Sequence, residues 1–301
     1  MYNFDNQVVM ITGAGRGLGR AYTLALAARG ATVIAVDNGC DVMGEGTDSD
    51  YITELKEVAR DMGAEVIGHC IDVTDQAAMA QLVDATYAEF GRIDGLICNA
   101  GIMLPQDGVQ QGLELYQQQM NVNHYATVAL VQQVLPKMQQ VDQGRIVVTG
   151  GLSPIYGEAR LMGYAASAAA NMGFVRCLSR ELADSNVKVN VIVPANFSRM
   201  SEQLEWPYDY QSMTPDLVAP AVLWLLASNA PNGLTVSVGG GYYSLIEPME
   251  SEGATLDLND QRPQAVARLL GNLSHAPKTQ VFQSFESRMR HILKLLMLKR
   301  S

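Results

Sequence analysis

Short apolar runs alternate with longer segments of helical periodicity along most of this chain, and that alternation leaves few folds open. The runs from Gln7 to Thr12, Ala31 to Asp37, Glu65 to His69, Gly95 to Cys98, Arg145 to Thr149 and Val187 to Val193 read as buried strands. Between them, Gly17 to Arg29, Tyr51 to Met62, Asp75 to Phe90, Leu113 to Met138 and Tyr164 to Asp184 read as helices. Strands joined through helices lie parallel, with right-handed crossovers and helices on both faces. The expected fold is α/β, a doubly wound parallel sheet over residues 1–247, followed by a linker and C-terminal helical extension over 248–301. Ligands in such sheets sit outside the carboxyl ends of the strands, so the residues just after each strand carry the most information.

Composition narrows the function classes. With 48% hydrophobic and 17% charged residues the 301-residue chain has enough apolar content for a large core, and disorder is excluded. The formal net charge of −10 argues against a nucleic-acid partner. Cys40, Cys70, Cys98 and Cys177 fall at unrelated spacings without His partners, so neither a disulfide framework nor a metal site is expected. No run approaches the ~18 apolar residues of a membrane span. A reduced, cytoplasmic setting follows as the expectation.

The most informative junction is Thr12-Gly13-Ala14-Gly15-Arg16-Gly17-Leu18-Gly19, directly after the first strand and opening a helix. Glycines there let the backbone turn tightly and approach a pyrophosphate, whose charge the helix N-terminus stabilises. Asp37 ends the second strand about 20 residues on, where a carboxylate accepts from an adenosine ribose diol and repels a 2′-phosphate. That favours NAD over NADP; Arg16 pulls the other way, since a basic residue in this turn can hold the extra phosphate. Asp72-Val73 after the third strand either faces an adenine amino group or caps a turn. Asn99-Ala100-Gly101 follows the fourth.

Together these residues resemble the short-chain dehydrogenase/reductase family, over about Tyr2 to Glu247. Within it, Gly17 to Tyr22, the Gly- and Asp-rich insert Asn38 to Asp50, Ile155-Tyr156-Gly157, Ser198-Arg199-Met200 and Val218 to Leu225 resemble the (3R)-hydroxyacyl-CoA dehydrogenase units of type 2 peroxisomal multifunctional enzymes. The resemblance implies a Rossmann-type fold and oxidation of a 3-hydroxyacyl-CoA with NAD. It implies catalytic roles for Tyr164 and Asn123, and a cofactor site of Gly13, Arg16, Gly17, Leu18, Gly19, Asp37, Asp72, Val73, Asn99, Gly101 and Pro194.

The sequence departs from that family at the chemistry. Where the family has a serine thirteen residues before the tyrosine, this chain has Gly151; where it has a lysine four residues after, this chain has Ala168. A tyrosine at its ordinary pKa of about 10 is only about 0.1% phenolate at neutral pH, so losing the cation removes most of the base. Losing the serine removes a donor worth on the order of 10²–10³ in rate. Thr149 and Ser153, two residues either side of Gly151, carry hydroxyls able to replace it. His124, beside Asn123, is either a donor or a packed side chain.

Two functions stay open: a dehydrogenase with a substituted catalytic set, or a silent subunit supporting an active homologue in a mixed oligomer. The segment Ser198 to Thr214, with Trp206, Tyr208 and Tyr210, occupies the place of a substrate lid. In the tail, Glu250-Ser251-Glu252 and Asp257 to Asp260 read as an acidic loop, and Pro263 to Leu270 as a helix. From Pro277 to Ser301, six basic residues face one acid, Glu286, and Phe285, Met289, Ile292, Leu293, Leu296 and Met297 recur at helical spacing. This basic amphipathic helix packs on a subunit of the protein, or meets an acidic partner, a CoA phosphate or an anionic surface.

Overall fold

The computed structural model describes residues 2–107, 112–204, 212–256, 262–275, 279–282 and 285–298. They form two compact units, Met1–Leu245 and Ile246–Ser301. The first is built on an eight-stranded sheet: β1 (Val8–Thr12), β2 (Thr32–Val36), β3 (Val66–His69), β4 (Gly95–Cys98), β5 (Gly144–Thr149), β6 (Val187–Pro194), β7 (Thr235–Gly239) and β8 (Tyr242–Leu245), in the order β3-β2-β1-β4-β5-β6-β7-β8. All neighbours are parallel except β7 and β8. Every residue of β1 is buried, as a strand covered on both faces requires. The chain steps outward from β1 to β3 and then returns to β4, so the crevice opens beyond β1 and β4.

The helices follow the expected order: α1 (Gly17–Ala27), α2 (Asp50–Asp61), α3 (Gln76–Phe90), α4 (Leu113–Met120), α5 (Ala126–Gln140), α6 (Ser153–Tyr156), α7 (Met162–Glu181), α8 (Arg199–Glu202) and α9 (Ala219–Leu226). Buried Tyr22 and Leu26 of α1 and Val222 and Leu226 of α9 join one apolar core with Ile11, Val33 and Ile97 of the sheet. Local chemistry sets the ends of α3: the Asp75 carboxylate accepts from Ala78 N at 3.0 Å, and Gly91 terminates the helix at φ 71°.

Two differences from the sequence reading matter. The single helix expected from Leu113 to Met138 is interrupted by one π turn, Asn121–Tyr125, which carries Asn123. Strands β7 and β8 were not expected: Thr235–Gly239 is buried throughout but mixes valines with Thr235, Ser237 and Gly239, and all but one residue of Tyr242–Leu245 is exposed, so neither reads as an apolar run in the sequence. In the loop before α7, Gly157 (φ 74°) and the non-glycine Arg160 (φ 70°) adopt left-handed backbone.

The second unit contains α10 (Pro263–His275), α11 (Phe285–Leu298) and an antiparallel pair, β9 (Glu250–Ser251) with β10 (Thr279–Gln280). Glu250, expected in an acidic loop, is in β9 and accepts from Arg288 of the basic helix. Phe285 and Met297 are exposed. Asp257 to Asp260, Lys278, Lys299 and Arg300 lie outside the described residues, as do Trp206, Tyr208 and Tyr210. Among the described residues no helix is long and apolar enough to cross a membrane.

Candidate active site

A cavity of about 620 Å³ opens beyond the carboxyl ends of β1, β4, β5 and β6. Its floor at β1 is the glycine turn. Gly13 (φ +66°) and Gly17 (φ +51°) adopt conformations that L side chains avoid, and a Cβ on Gly13 would stand 2.8 Å from Ala100 Cα. Gly13, Arg16, Gly17 and Leu18 line the cavity. Gly19 does not; a Cβ there would meet Gly13 O at 1.9 Å, so this glycine serves the close packing of helix on turn. No side chain caps the N-terminus of α1, which leaves its first amide groups unclaimed at the cavity floor.

Asp37, just past β2, also lines the cavity, and its carboxylate accepts from Gly15 N at 2.8 Å and Gly39 N at 2.7 Å. These bonds fix the acid beside the glycine turn. Arg16 is held away from a purely solvent role: its guanidinium donates to Cys40 O and stacks on the Tyr51 ring, 3.9 Å from the centroid. Arg199 of α8 donates to the same carbonyl at 2.9 Å, across 159 positions of sequence. Asp72 caps a turn at the edge of the cavity. It lines the cavity with Val73, while accepting from Thr74 N at 2.8 Å and Asn38 Nδ2 at 3.2 Å.

Asn99 and Gly101 extend the lining past β4. Asn99 ties two strand ends together, donating to Thr12 O at 3.3 Å and Gly13 O at 3.2 Å, while Thr149 Oγ1 donates to its Oδ1 at 3.3 Å. Asn123 is buried in the π turn with its amide fully engaged: Oδ1 accepts from Ile102 N at 2.8 Å, and Nδ2 donates to Ile102 O and Ser167 Oγ, both at 2.9 Å. Its own carbonyl accepts from Asn171 Nδ2 at 2.8 Å. Asn171 Oδ1 in turn meets His124 Nδ1 at 2.9 Å, so the histidine stands behind the cavity wall, in contact with a residue that lines it.

Tyr164, Gly151, Ala168, Ser153 and Pro194 all line the same cavity. The Tyr164 ring leans over Gly151: a Cβ there would come within 3.1 Å of the phenol oxygen. Burial raises the phenol pKa above its ordinary value, and among the described residues no cation offsets it. Arg160, the basic residue nearest before Tyr164 in sequence, turns to Asp107 instead, at 3.7 Å. Of the two hydroxyls flanking Gly151, that of Thr149 is spent on Asn99, whereas Ser153 Oγ is buried without a partner.

Sequence reasoning missed Asn171 and the cavity-side role of Arg199. The signal for Asn171 was present, since Tyr164, Ala168 and Asn171 repeat at the four- and three-residue steps of one helix face. For Arg199 only the placement of Ser198 to Thr214 near the site was legible, because nothing local shows that α8 reaches the loop after β2.

The sequence profile of the short chain dehydrogenase family matches residues 7–205. The chain belongs to that family. A short-chain type dehydrogenase/reductase of Mycobacterium tuberculosis is 29% identical over 258 residues, covering 85% of this chain and 90% of that one. Peroxisomal multifunctional enzyme type 2 of Mus musculus is 32% identical over 287 residues, covering 93% of this chain but 38% of the enzyme. The structure of the full-length peroxisomal multifunctional enzyme type 2 from Drosophila melanogaster superposes with a TM-score of 0.80 at 24% identity, covering 98% of this chain and 50% of that one. The chain thus spans 38% and 50% of these two multifunctional enzymes, and its similarity to them includes the fold described above.

Proposed function

We propose that this protein is an NAD(H)-dependent oxidoreductase interconverting a 3-hydroxyacyl thioester and its ketone, with Tyr164 as the proton-transfer residue. The observation that carries the reading is that the Tyr164 phenol shares one cavity with the glycine turn and Asp37. The fit to a dinucleotide rests on the uncapped α1 N-terminus, which suits a pyrophosphate, and on Asp37, which suits a ribose diol and opposes a 2′-phosphate. The engagement of Arg16 with Cys40 O and Tyr51 supports the same preference for NAD. When bound, the nicotinamide supplies or accepts the hydride.

The protein's own part is proton transfer and positioning. Burial keeps the phenol protonated near neutrality, so Tyr164 donates to a ketone oxygen in reduction and must first lose its proton for alcohol oxidation. Asn123 positions: its amide holds the loop after β4 to α7. The similarity to multifunctional enzymes supports acyl-CoA as the substrate class. The four free cysteines support a cytoplasmic setting.

The test is calorimetric titration of the protein with NADH and NADPH, followed by turnover of acetoacetyl-CoA. Micromolar NADH binding, weaker NADPH binding and slow ketone reduction are expected. Absence of NADH binding would overturn the proposal. Gly151 and Ala168 favour a second reading, a silent subunit that binds cofactor and supports an active homologue. NADH binding without turnover, together with co-purification of an intact homologous dehydrogenase, would select it.

A further inference from the structure

We infer that Ser153 is the substrate-oxygen donor of this site, taking over from the position that Gly151 vacates. The inference rests on the substrate reading above. Among the described residues, the buried side-chain polar atoms that lack a partner include two on the cavity lining, Arg16 Nε and Ser153 Oγ. Arg16 belongs to the end of the cavity at Asp37 and Cys40. Ser153 belongs to the other end, two residues from the glycine on which the Tyr164 ring rests.

A hydroxyl has one proton to give, and each candidate's proton can be traced. Thr149 spends its proton on Asn99 Oδ1, inside the clamp that Asn99 makes on Thr12 and Gly13. Ser167 spends its proton on the carbonyl of Tyr164, at 2.9 Å. Ser153, 8% exposed in the first turn of α6, gives its proton to no described group. A buried donor left without an acceptor is destabilising unless a ligand supplies one, and a ketone or alkoxide oxygen beside Tyr164 does so. Because the ring occupies the space above Gly151, the donor has to approach from further along the chain, where α6 begins. The step adds no chemistry to the proton account: Ser153 holds the oxygen by a hydrogen bond, and Tyr164 alone transfers the proton.

The experiment compares wild type with Ser153→Ala, using acetoacetyl-CoA and butyryl-CoA, which differ at the 3-oxygen, as calorimetric probes in the presence of NAD. Wild type is expected to favour the ketone, and Ser153→Ala to abolish that preference while butyryl-CoA and NADH affinities stay within about twofold. Ketone reduction is expected to fall on the order of 10²-fold in kcat/KM, the scale of losing one oxyanion donor, with KM for acetoacetyl-CoA rising by the factor that its calorimetric affinity falls. A ketone preference that survives Ser153→Ala would overturn the inference alone. Equal binding of the two thioesters by wild type would overturn the substrate reading and the inference with it, and absence of NADH binding would overturn the cofactor assignment.

Discussion

With Tyr164 as the proposed proton-transfer residue, its chemistry and that of Ala168 one turn away predict a pH profile. A phenol raised above its ordinary pKa by burial is almost wholly protonated at pH 7, so the fraction able to accept a proton grows tenfold per pH unit. Alcohol oxidation is therefore expected to climb with a slope near one in log kcat/KM from pH 7 to 9, without a plateau; a plateau below pH 8 would show that another group carries the proton. Ala168 lines the cavity one helical turn from Tyr164, so a lysine placed there projects its ammonium toward the phenol. Ala168→Lys is expected to lower the phenol pKa and raise oxidation at pH 7 at least tenfold. Gly151→Ser alone should not help. Its Cβ would crowd the Tyr164 ring at 3.1 Å, so the ring must shift before the new hydroxyl can be used. Steady-state rates of the two single variants distinguish these outcomes.

At the scale of the elements, sequence patterning carried the parallel sheet because six strands are apolar runs bracketed by turn residues, and glycine and acid placement marked the turns that line the cavity. The π turn at Asn121–Tyr125 was not legible, since one extra residue in a helical turn leaves composition and periodicity almost unchanged. Its presence is nonetheless what aims Asn123 inward, where one amide satisfies both Ile102 N and Ile102 O. Asn123→Ala would leave those buried backbone groups without their partner and remove the bond that Ser167 Oγ accepts. A loss of about 2–4 kcal/mol in urea unfolding is expected, at the scale of breaking a buried network. A loss below about 0.5 kcal/mol would mean that water replaces the amide. The tie from Arg199 to Cys40 O was equally illegible, because it joins loops 159 positions apart through a backbone acceptor that no side-chain pattern records. Arg199→Gln is expected to weaken NADH binding several-fold by freeing α8 from the loop after β2, and NADH fluorescence titration reads it directly.

On the scale of the whole molecule, the charge is divided as unevenly as the structure. The stretch Pro277 to Ser301 carries a net +5 within a chain of net −10, and one of its arginines, Arg288, is engaged by Glu250 inside the second unit. All strands of the large sheet lie between Val8 and Leu245, and all residues that line the cavity lie between Gly13 and Met213. The apolar core formed by the sheet with α1 and α9 runs from Phe4 to Val238. A chain ending at Leu245 therefore keeps its core, its cofactor-facing turns and Tyr164. It is expected to unfold cooperatively and to bind NADH within about twofold of the full chain, because no residue assigned to the dinucleotide is removed. If the shortened protein folds but loses ketone reduction while keeping NADH affinity, the tail serves the acyl-CoA end of the reaction. If it loses both, residues 246–301 are part of the folding unit, and the division into two bodies does not hold in solution.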